Sequence, residues 1–437
     1  MMNLANTVEL LRDFLRINTT NPPGNEEKAA LFIGDILKRE GLSSEIYLAA
    51  PGRANILSRI KGRVSSKPII LLGHIDVVPA KRDEWSYDPF AAEVKDGFIY
   101  GRGTIDMKAQ VICQLVAFLD CARQGIIPKR DIIFLATCDE EVGGNHGVEF
   151  MLDAVPELKD ASFVLSEGGN MFEEDGCLHA QISVTEKKLS QFILRATGKG
   201  GHGSMPHGDN ANEKIVAAAQ RILSYKWPLK AMPVTSAYLD GVLKDRYVEN
   251  IKFPGLKEAL RSREWRIFFE RNEIYNAILR NTVTLTILQG GEKVNVIPSE
   301  SSAYFDSRLL PSETHEKFFT KIKKLAGNDI AIERIGEKIP APGSSLYNTV
   351  YFQGIKEAIQ SLKGNIPTLP FVTTGATDMR YFRDLGVPSY GFFPVTLTKE
   401  EHMRMHGKDE RISLANIKEG LEGCKAIVNF LASDRIP

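Results

Sequence analysis

The sequence predicts an α/β protein: a mostly parallel sheet with helices on both faces, carrying an inserted ferredoxin-like α+β domain. Three observations predict it. Short continuous apolar runs at Ile69–Leu72, Ile132–Ala136 and Phe163–Leu165 alternate with helical patterns to about Glu167, as in βα repeats whose strands are buried on both faces. From about Thr185 the order becomes β-α-β-β-α-β, over Gln191–Thr197, Asn212–Tyr225, Thr282–Leu288, Ser302–Leu309, Ser312–Ala326 and Asp329–Arg334, the order of a ferredoxin-like unit. After about residue 342 the α/β pattern returns, so the second unit interrupts the first. The expected division is 1–184 with 340–437 for the larger domain and 185–339 for the insert, with an extra segment at 226–281.

Leu4, Val8, Leu11 and Leu15 recur at helical spacing with charged residues between them, so the chain is expected to open on an amphipathic helix and not on a signal peptide. That helix stops near Asn18, before Asn21-Pro22-Pro23-Gly24. A second helix is expected over Glu26–Glu40, with Gly41 as its stop. Strands follow at Asn55–Lys61 and Ile69–Leu72, and Asp88–Tyr100 reads as a hairpin or loop. Val111, Leu115 and Leu119 mark an apolar helix after Gly101-Arg102-Gly103-Thr104-Ile105-Asp106-Met107-Lys108. Residues 226–281 are rich in aromatics and partly helical, and read as a cap on the small domain. A helix over Thr349–Ser361, a strand over Ser389–Phe393 and a final helix over Leu414–Ala432 complete the chain.

The 55 basic and 55 acidic residues cancel to zero net charge, which gives no footprint for nucleic acid or an anionic membrane surface. No apolar run approaches the ~18 residues of a membrane span. Five cysteines, odd in number and without a C-x-x-C pair, read as reduced thiols of a cytoplasmic protein. Gly101-Arg102-Gly103 lacks the third glycine of a dinucleotide fingerprint, and no Gly-Lys-Ser/Thr loop exists.

Each apolar strand runs directly into metal-type donors. Ile69–Leu72 leads to Gly73-His74-Ile75-Asp76, Ile132–Ala136 to Asp139-Glu140-Glu141, and Phe163–Leu165 to Ser166-Glu167. Groups at the carboxyl ends of parallel strands share the edge where open α/β sheets bind ligands. With Asp106 and His406, the candidate donors are His74, Asp106, Glu140, Glu141, Glu167 and His406. Two imidazoles among carboxylates suit zinc, cobalt or manganese better than calcium. Six groups suffice for two divalent ions and one free base.

The motifs Gly73-His74-Ile75-Asp76-Val77-Val78-Pro79, Gly101–Lys108, Asp139-Glu140-Glu141-Val142-Gly143-Gly144, Ser166-Glu167-Gly168 and His406-Gly407-Lys408-Asp409-Glu410-Arg411 occur in order along the chain. Together they resemble the di-zinc metallopeptidase family of aminoacylase-1, glutamate carboxypeptidase, acetylornithine deacetylase and succinyl-diaminopimelate desuccinylase. The resemblance implies a zinc-peptidase fold and two zinc ions, with cobalt or manganese as substitutes. It implies that Asp106 bridges both ions, His74 and Glu167 complete one, and Glu141 and His406 the other. Glu140 is then the general base that deprotonates a metal-bridging water and later protonates the leaving amine. Asp76 orients His74 through the far ring nitrogen.

The resemblance also implies that His202, in Gly200-Gly201-His202-Gly203, stabilises the tetrahedral oxyanion in the neighbouring subunit's active site, hence a homodimer formed through an inserted lid. Asn295 and Arg308 are expected to hold the substrate's carboxylate or carbonyl, an arginine fork suiting a carboxylate. Gly375 belongs to Gly375-Ala376-Thr377-Asp378-Met379-Arg380-Tyr381, a loop nearer to the aminoacylase and carboxypeptidase branch than to the desuccinylases. His402, four residues before His406, is a reserve ligand; His207 reads as locally packed, and His146, His179 and His315 as surface or loop. The expected reaction is metal-dependent cleavage of an amide next to a free carboxylate, on N-acyl amino acids or C-terminal residues of short peptides. A desuccinylase or acetylornithine deacetylase is the alternative. A non-catalytic relative would have lost ligands, and none is lost here.

Overall fold

The computed structural model describes residues 4–174, 177–336 and 343–436. The chain forms two compact units, Met1–Thr185 with Gly343–Phe371 and Thr377–Pro437, and Glu186–Pro342 with Val372–Ala376. The expected boundary at 339/340 lies outside the described residues.

The larger unit is built on one sheet. Its strands lie in the order Ser44–Ala50, Arg53–Ile60, Ile132–Thr137, Ile69–His74, Phe163–Ser166, Ser389–Gly391, Cys177–Glu186, Met171–Glu174 and Thr396–Leu397. The four central strands, from Ile132–Thr137 to Ser389–Gly391, run parallel. Antiparallel strands flank them on both sides. Ile69, Ile70, Leu71 and Leu72 are all fully buried, as are Ile132, Ile133 and Leu135; a strand covered on both faces shows no alternation. The helix Lys108–Arg123 is apolar all round and buried over fourteen residues from Lys108 to Cys121, consistent with a helix enclosed within the unit. In the parallel register His74 lies beside Thr137, so the segments after both strands emerge at one edge.

Close packing at that edge depends on a glycine. A Cβ on Gly391 would meet the carbonyl oxygen of Glu167 at 1.7 Å, so only glycine lets the neighbouring strand approach the segment that carries Glu167.

The smaller unit has the strand order Thr282–Gln289, Glu300–Leu309, Gln191–Thr197, Ala331–Ile335, antiparallel throughout, which is the ferredoxin-like arrangement. Helices Ala211–Ser224 and His315–Ala326 bury Ile215, Ala218, Ile222, Phe318 and Ile322 with Phe192, Leu194 and Phe305 of the sheet. Residues 226–281 form helices Pro233–Leu243, Leu256–Ala259, Arg263–Arg271 and Glu273–Leu279. Their aromatics converge on Trp265, which is fully buried and packs with Phe253, Phe268 and Phe269.

Lys187 pins this segment to the sheet: its Nζ donates to the carbonyls of Ala277 and Arg280 and to Thr282 Oγ1, at 2.9, 3.0 and 2.9 Å. Burial, with the charge of Arg308 adding, pulls its pKa down to about 7. Between about 7 and the ordinary ~10.4 of lysine the unfolded chain then holds one proton more than the folded one, so stability rises with pH across that window and not below it. The slope from this one group is at most about 1.4 kcal/mol per pH unit. Denaturant unfolding at several pH values between 7 and 10 is expected to show the rise, and Lys187→Met to lack it; a variant with the wild-type pH profile would refute the assignment.

Candidate metal centre

The site is assembled from segments that follow the buried strands. His74 is the last residue of its strand, Glu140 and Glu141 follow the strand ending at Thr137, and Glu167 follows the strand ending at Ser166. Asp106 precedes the helix Lys108–Arg123, and His406 lies beyond the short helix Lys399–His402. His74 Nε2 is 2.9 Å from Asp106 Oδ1 and 3.8 Å from Glu167 Oε1. His406 Nε2 is 3.1 Å from Asp106 Oδ2 and 3.4 Å from Glu141 Oε2. Two three-donor groups result, His74–Asp106–Glu167 and Asp106–Glu141–His406, with the donor atoms of each within 4.8 Å of one another. They share Asp106, one oxygen facing each group.

Electrostatics describe a site in want of positive charge. Burial raises Glu140 well above the ordinary glutamate pKa, with the Glu167 charge adding. Burial pushes Glu167 up to about 8, helped by Asp106, and raises Glu141 in the same way. Burial opposes the charged form of His74, but the Glu167 charge and the hydrogen bond to Asp106 overcome it and raise its pKa. Hydrogen bonds to Asp106 and Glu141 push His406 up to about 11. Carboxylates this close share protons or cations. Glu141 Oε1 is buried without a hydrogen-bond partner, an oxygen that costs free energy unless something coordinates it. Imidazole and carboxylate donors in threes fit zinc-type divalent ions.

Glu140 belongs to neither group. Its Oε1 lies 3.8 Å from Arg380 Nη1. Arg380 itself donates to the carbonyls of Thr377 and Gly143, at 2.9 and 2.8 Å, and Tyr381 donates its hydroxyl to the same Gly143 carbonyl at 2.6 Å. The loop containing Gly375 therefore contributes Arg380 and Tyr381 beside the glutamate pair, while Gly375 itself falls in the smaller unit.

Asp76 is fully buried, and it meets the far nitrogen of His74 through both main chain and side chain. The nearest acceptor for His74 Nδ1 is the main-chain carbonyl of Asp76, at 3.0 Å; the carboxylate stands 3.5 Å away. The carboxylate also accepts from the backbone N–H of Glu140 and Glu141, both at 3.2 Å, and from Asn21 Nδ2 at 2.8 Å. It thus fixes the glutamate turn as much as the imidazole.

Three residues without an expected role complete that support. Asp139 has φ 73°, a left-handed conformation uncommon outside glycine, asparagine and aspartate. Arg53 Nη2 holds its carboxylate at 2.5 Å, and the backbone N–H of His146 donates to it at 2.9 Å. Arg53 also forks onto the buried Glu26 at 2.8 and 2.9 Å. The only sequence sign of Asn21 was its place before Pro-Pro-Gly; Arg53 and Glu26 gave none.

His402 ends its helix, so the i, i+4 face expected to pair it with His406 does not form. Its ring packs edge-on against Phe172, 6.1 Å between centroids, and it joins neither donor group. His406 itself has φ 60°. In the smaller unit, the two-stranded ladder pairs His202 with Val296, and the Asn295 carbonyl accepts from Gly203 N–H at 2.8 Å, so His202 and Asn295 are neighbours. His202 Nδ1 lies 2.7 Å from Ser204 Oγ and 3.2 Å from Ser204 N. His207 Nδ1 accepts from Asp209 N–H at 3.3 Å. Arg308 forks onto Asp306 through Nε and Nη2, at 2.9 and 3.2 Å, leaving Nη1 outside that fork. Among the described residues no helix is long and apolar enough to cross a membrane.

Residues 70–429 match peptidase family M20/M25/M40. Among curated proteins, "Probable carboxypeptidase S-like 2" of Dictyostelium discoideum is 31% identical over 371 residues, covering 81% of this chain and 70% of that protein. Human aminoacylase-1 is 28% identical over 440 residues, covering 98% and 95%. The M20 family metallo-carboxypeptidase Sso-CP2 from Sulfolobus solfataricus superposes with a TM-score of 0.74 at 19% identity, over 99% of this chain and 100% of that one. Bacillus subtilis YXEP, described as a dinuclear metal binding peptidase, superposes with a TM-score of 0.59 at 15% identity, over 98% and 99%. The chain belongs to peptidase family M20/M25/M40, a family of metal-dependent hydrolases of the amidohydrolase and carboxypeptidase type.

Proposed function

We propose that this protein is a di-metal amidohydrolase that cleaves an amide bond next to a free carboxylate, on N-acyl amino acids or the C-terminal residues of short peptides. The observation that carries this reading is the pair of three-donor groups sharing Asp106, with the carboxylate of Glu140 outside both. His74, Asp106 and Glu167 would hold one divalent ion and Asp106, Glu141 and His406 the other, zinc before cobalt or manganese. When bound, such ions supply Lewis acidity and lower the pKa of a coordinated water towards neutrality.

The chain's own residues do the rest. Glu140 takes a proton from the attacking water and delivers it to the nitrogen of the departing amine. Its place in a buried site, beside the Arg380 guanidinium, keeps it within the protein and away from bulk water. Asp76 holds the glutamate turn still by accepting from its two backbone N–H groups, and Asn21 donates to the same carboxylate. His202, with Nδ1 engaged by Ser204, is assigned to donate from Nε2 to the oxyanion in a neighbouring subunit's site. Asn295 and the Nη1 of Arg308 are assigned the substrate's carboxylate or carbonyl, and Gly375 the close approach of substrate to backbone. The insert, 185–339, is assigned as lid and dimerisation domain of a homodimer, and 340–437 as the return to the catalytic domain. Free thiols at Cys113, Cys121, Cys138, Cys177 and Cys424 support a reducing, cytoplasmic setting.

The test is amine release by zinc- or cobalt-loaded protein from N-acetyl amino acids, N-succinyl amino acids and dipeptides, against a chelated control. Chelator-sensitive release from acetyl amino acids or dipeptides is expected. Release from succinyl substrates alone would move the assignment to the desuccinylases, and release that survives complete chelation would overturn the metal-dependent reading.

A further inference from the structure

Glu410 and Arg102 form a buried ion pair that touches the backbone of three segments of the site. Glu410 is fully buried and Arg102 is 2% exposed. Glu410 Oε1 accepts from the backbone N–H of Ile105 at 2.7 Å and of Asp106 at 3.3 Å, and Oε2 accepts from Arg102 Nη1 at 2.6 Å. Its main-chain carbonyl accepts from Gly101 N–H at 2.9 Å. Arg102 Nη2 donates to the His406 carbonyl at 3.2 Å and reaches the Pro79 carbonyl at 3.5 Å. The guanidinium lies over the Trp85 ring, 5.1 Å from its centroid. One pair thus contacts the main chain of Asp106, which serves both donor groups, of His406, which serves only the second, and of the segment that leaves the His74 strand.

The His406 loop needs such support. His406 and Asp409 both have left-handed backbones, φ 60° and 53°, conformations that cost about 1–3 kcal/mol each and persist where surroundings over-determine them. Asp409 is held by Ser86, whose N–H and Oγ donate to its carboxylate at 2.7 and 2.9 Å. For His406 the backbone contact is Arg102. A buried ion pair is poor as a stabiliser, since apolar residues of the same volume hold a fold as well or better. Apolar residues would, however, leave the N–H groups of Ile105 and Asp106 and the carbonyl of His406 without partners.

We propose that Glu410, acting through Arg102, is a positioning residue that fixes the His406 loop to the Asp106 loop, so that the second metal position is assembled on the first. The inference rests on the di-metal reading above and adds a residue outside both donor groups. Its consequence is selective. Loss of the pair loosens His406 against Asp106, so the second ion suffers more than the first.

The experiment titrates metal-free, full-length protein with Co²⁺, reading the visible d–d absorption, and measures both affinities by competition with a chromophoric chelator. Wild type should take two equivalents; one equivalent or none overturns the di-metal reading itself and this inference with it. Glu410→Gln should weaken the second equivalent by roughly 10- to 100-fold, the cost of losing an outer hydrogen-bond partner of a metal site, and alter the spectrum of the second ion. The first should change by less than about threefold. Should Glu410→Gln fail to fold, the double variant Arg102→Met/Glu410→Met, which leaves no unpaired buried charge, is expected to fold and to show the same selective loss. Two equivalents bound with wild-type affinity and spectrum in a folded variant would overturn the proposal, as would a double variant that cannot fold, which would place the pair in fold stability alone.

Discussion

Glu140→Gln is expected to lower kcat by about 10²- to 10⁴-fold, the span usual for removing a positioned general acid–base group, while both ions remain bound. The two glutamates are adjacent in sequence but not equivalent in space. Glu141 turns Oε2 towards His406 at 3.4 Å and belongs to a donor group, whereas Glu140 belongs to none. The substitution keeps the side chain's size and removes only its capacity to carry a proton between water and amine. Without metal, burial and the Glu167 charge already disfavour the charged form of Glu140, so the neutral amide should leave metal-free protein no less stable. Glu141→Gln makes the contrast, because it should lose metal as well as activity. The measurement is kcat on the best substrate of the panel, with metal content counted on the same samples. A Glu140→Gln enzyme within threefold of wild-type kcat would remove Glu140 from the mechanism, and a loss matched by missing metal would make it a ligand.

Much of this arrangement was legible in the sequence because it is local. A buried parallel strand is a short apolar run, and its functional group follows within a few residues, so His74, Glu140, Glu141 and Glu167 announce themselves. The helix Leu414–Ala432 and the strand Gln191–Thr197 occupy the expected residues because each has a clean period and clear flanks. What escaped is long-range or polar. The strand Cys177–Glu186 buries His179, Gln181, Ser183, Thr185 and Glu186, so it lacks the apolar signature by which strands are read. The edge strand Ser44–Ala50 is largely half-exposed and offers no buried face to recognise. Arg53 supports Asp139 across 86 residues and Arg102 meets Glu410 across 308; no spacing rule reaches so far. Asp139 was visible only as part of an acidic run, and its left-handed backbone, which aims the glutamates, depends on partners the local sequence does not contain.

Asp106→Asn is expected to be the most damaging single change to metal binding, because it alone weakens both positions. One carboxylate oxygen lies 2.9 Å from His74 Nε2 and the other 3.1 Å from His406 Nε2, so a single charge serves two donor groups. The amide keeps one oxygen and the side chain's shape, but it offers a neutral donor where an anion stood and presents N–H groups to one side. Hydrogen bonds from His406 and His74, opposing the effect of burial, hold Asp106 far below the ordinary aspartate pKa, so the wild-type carboxylate is charged at any working pH and ready for cations without first losing a proton. Both affinities should fall by more than the roughly 10- to 100-fold that an outer partner is worth. Glu167→Gln and His406→Ala make the comparison, since each touches one group and should weaken one ion while sparing the other. Chelator competition on the three variants separates the cases. If Asp106→Asn lost one ion and kept the other at wild-type affinity, the shared-ligand geometry would be wrong and the two groups would have to be treated as independent single-metal sites.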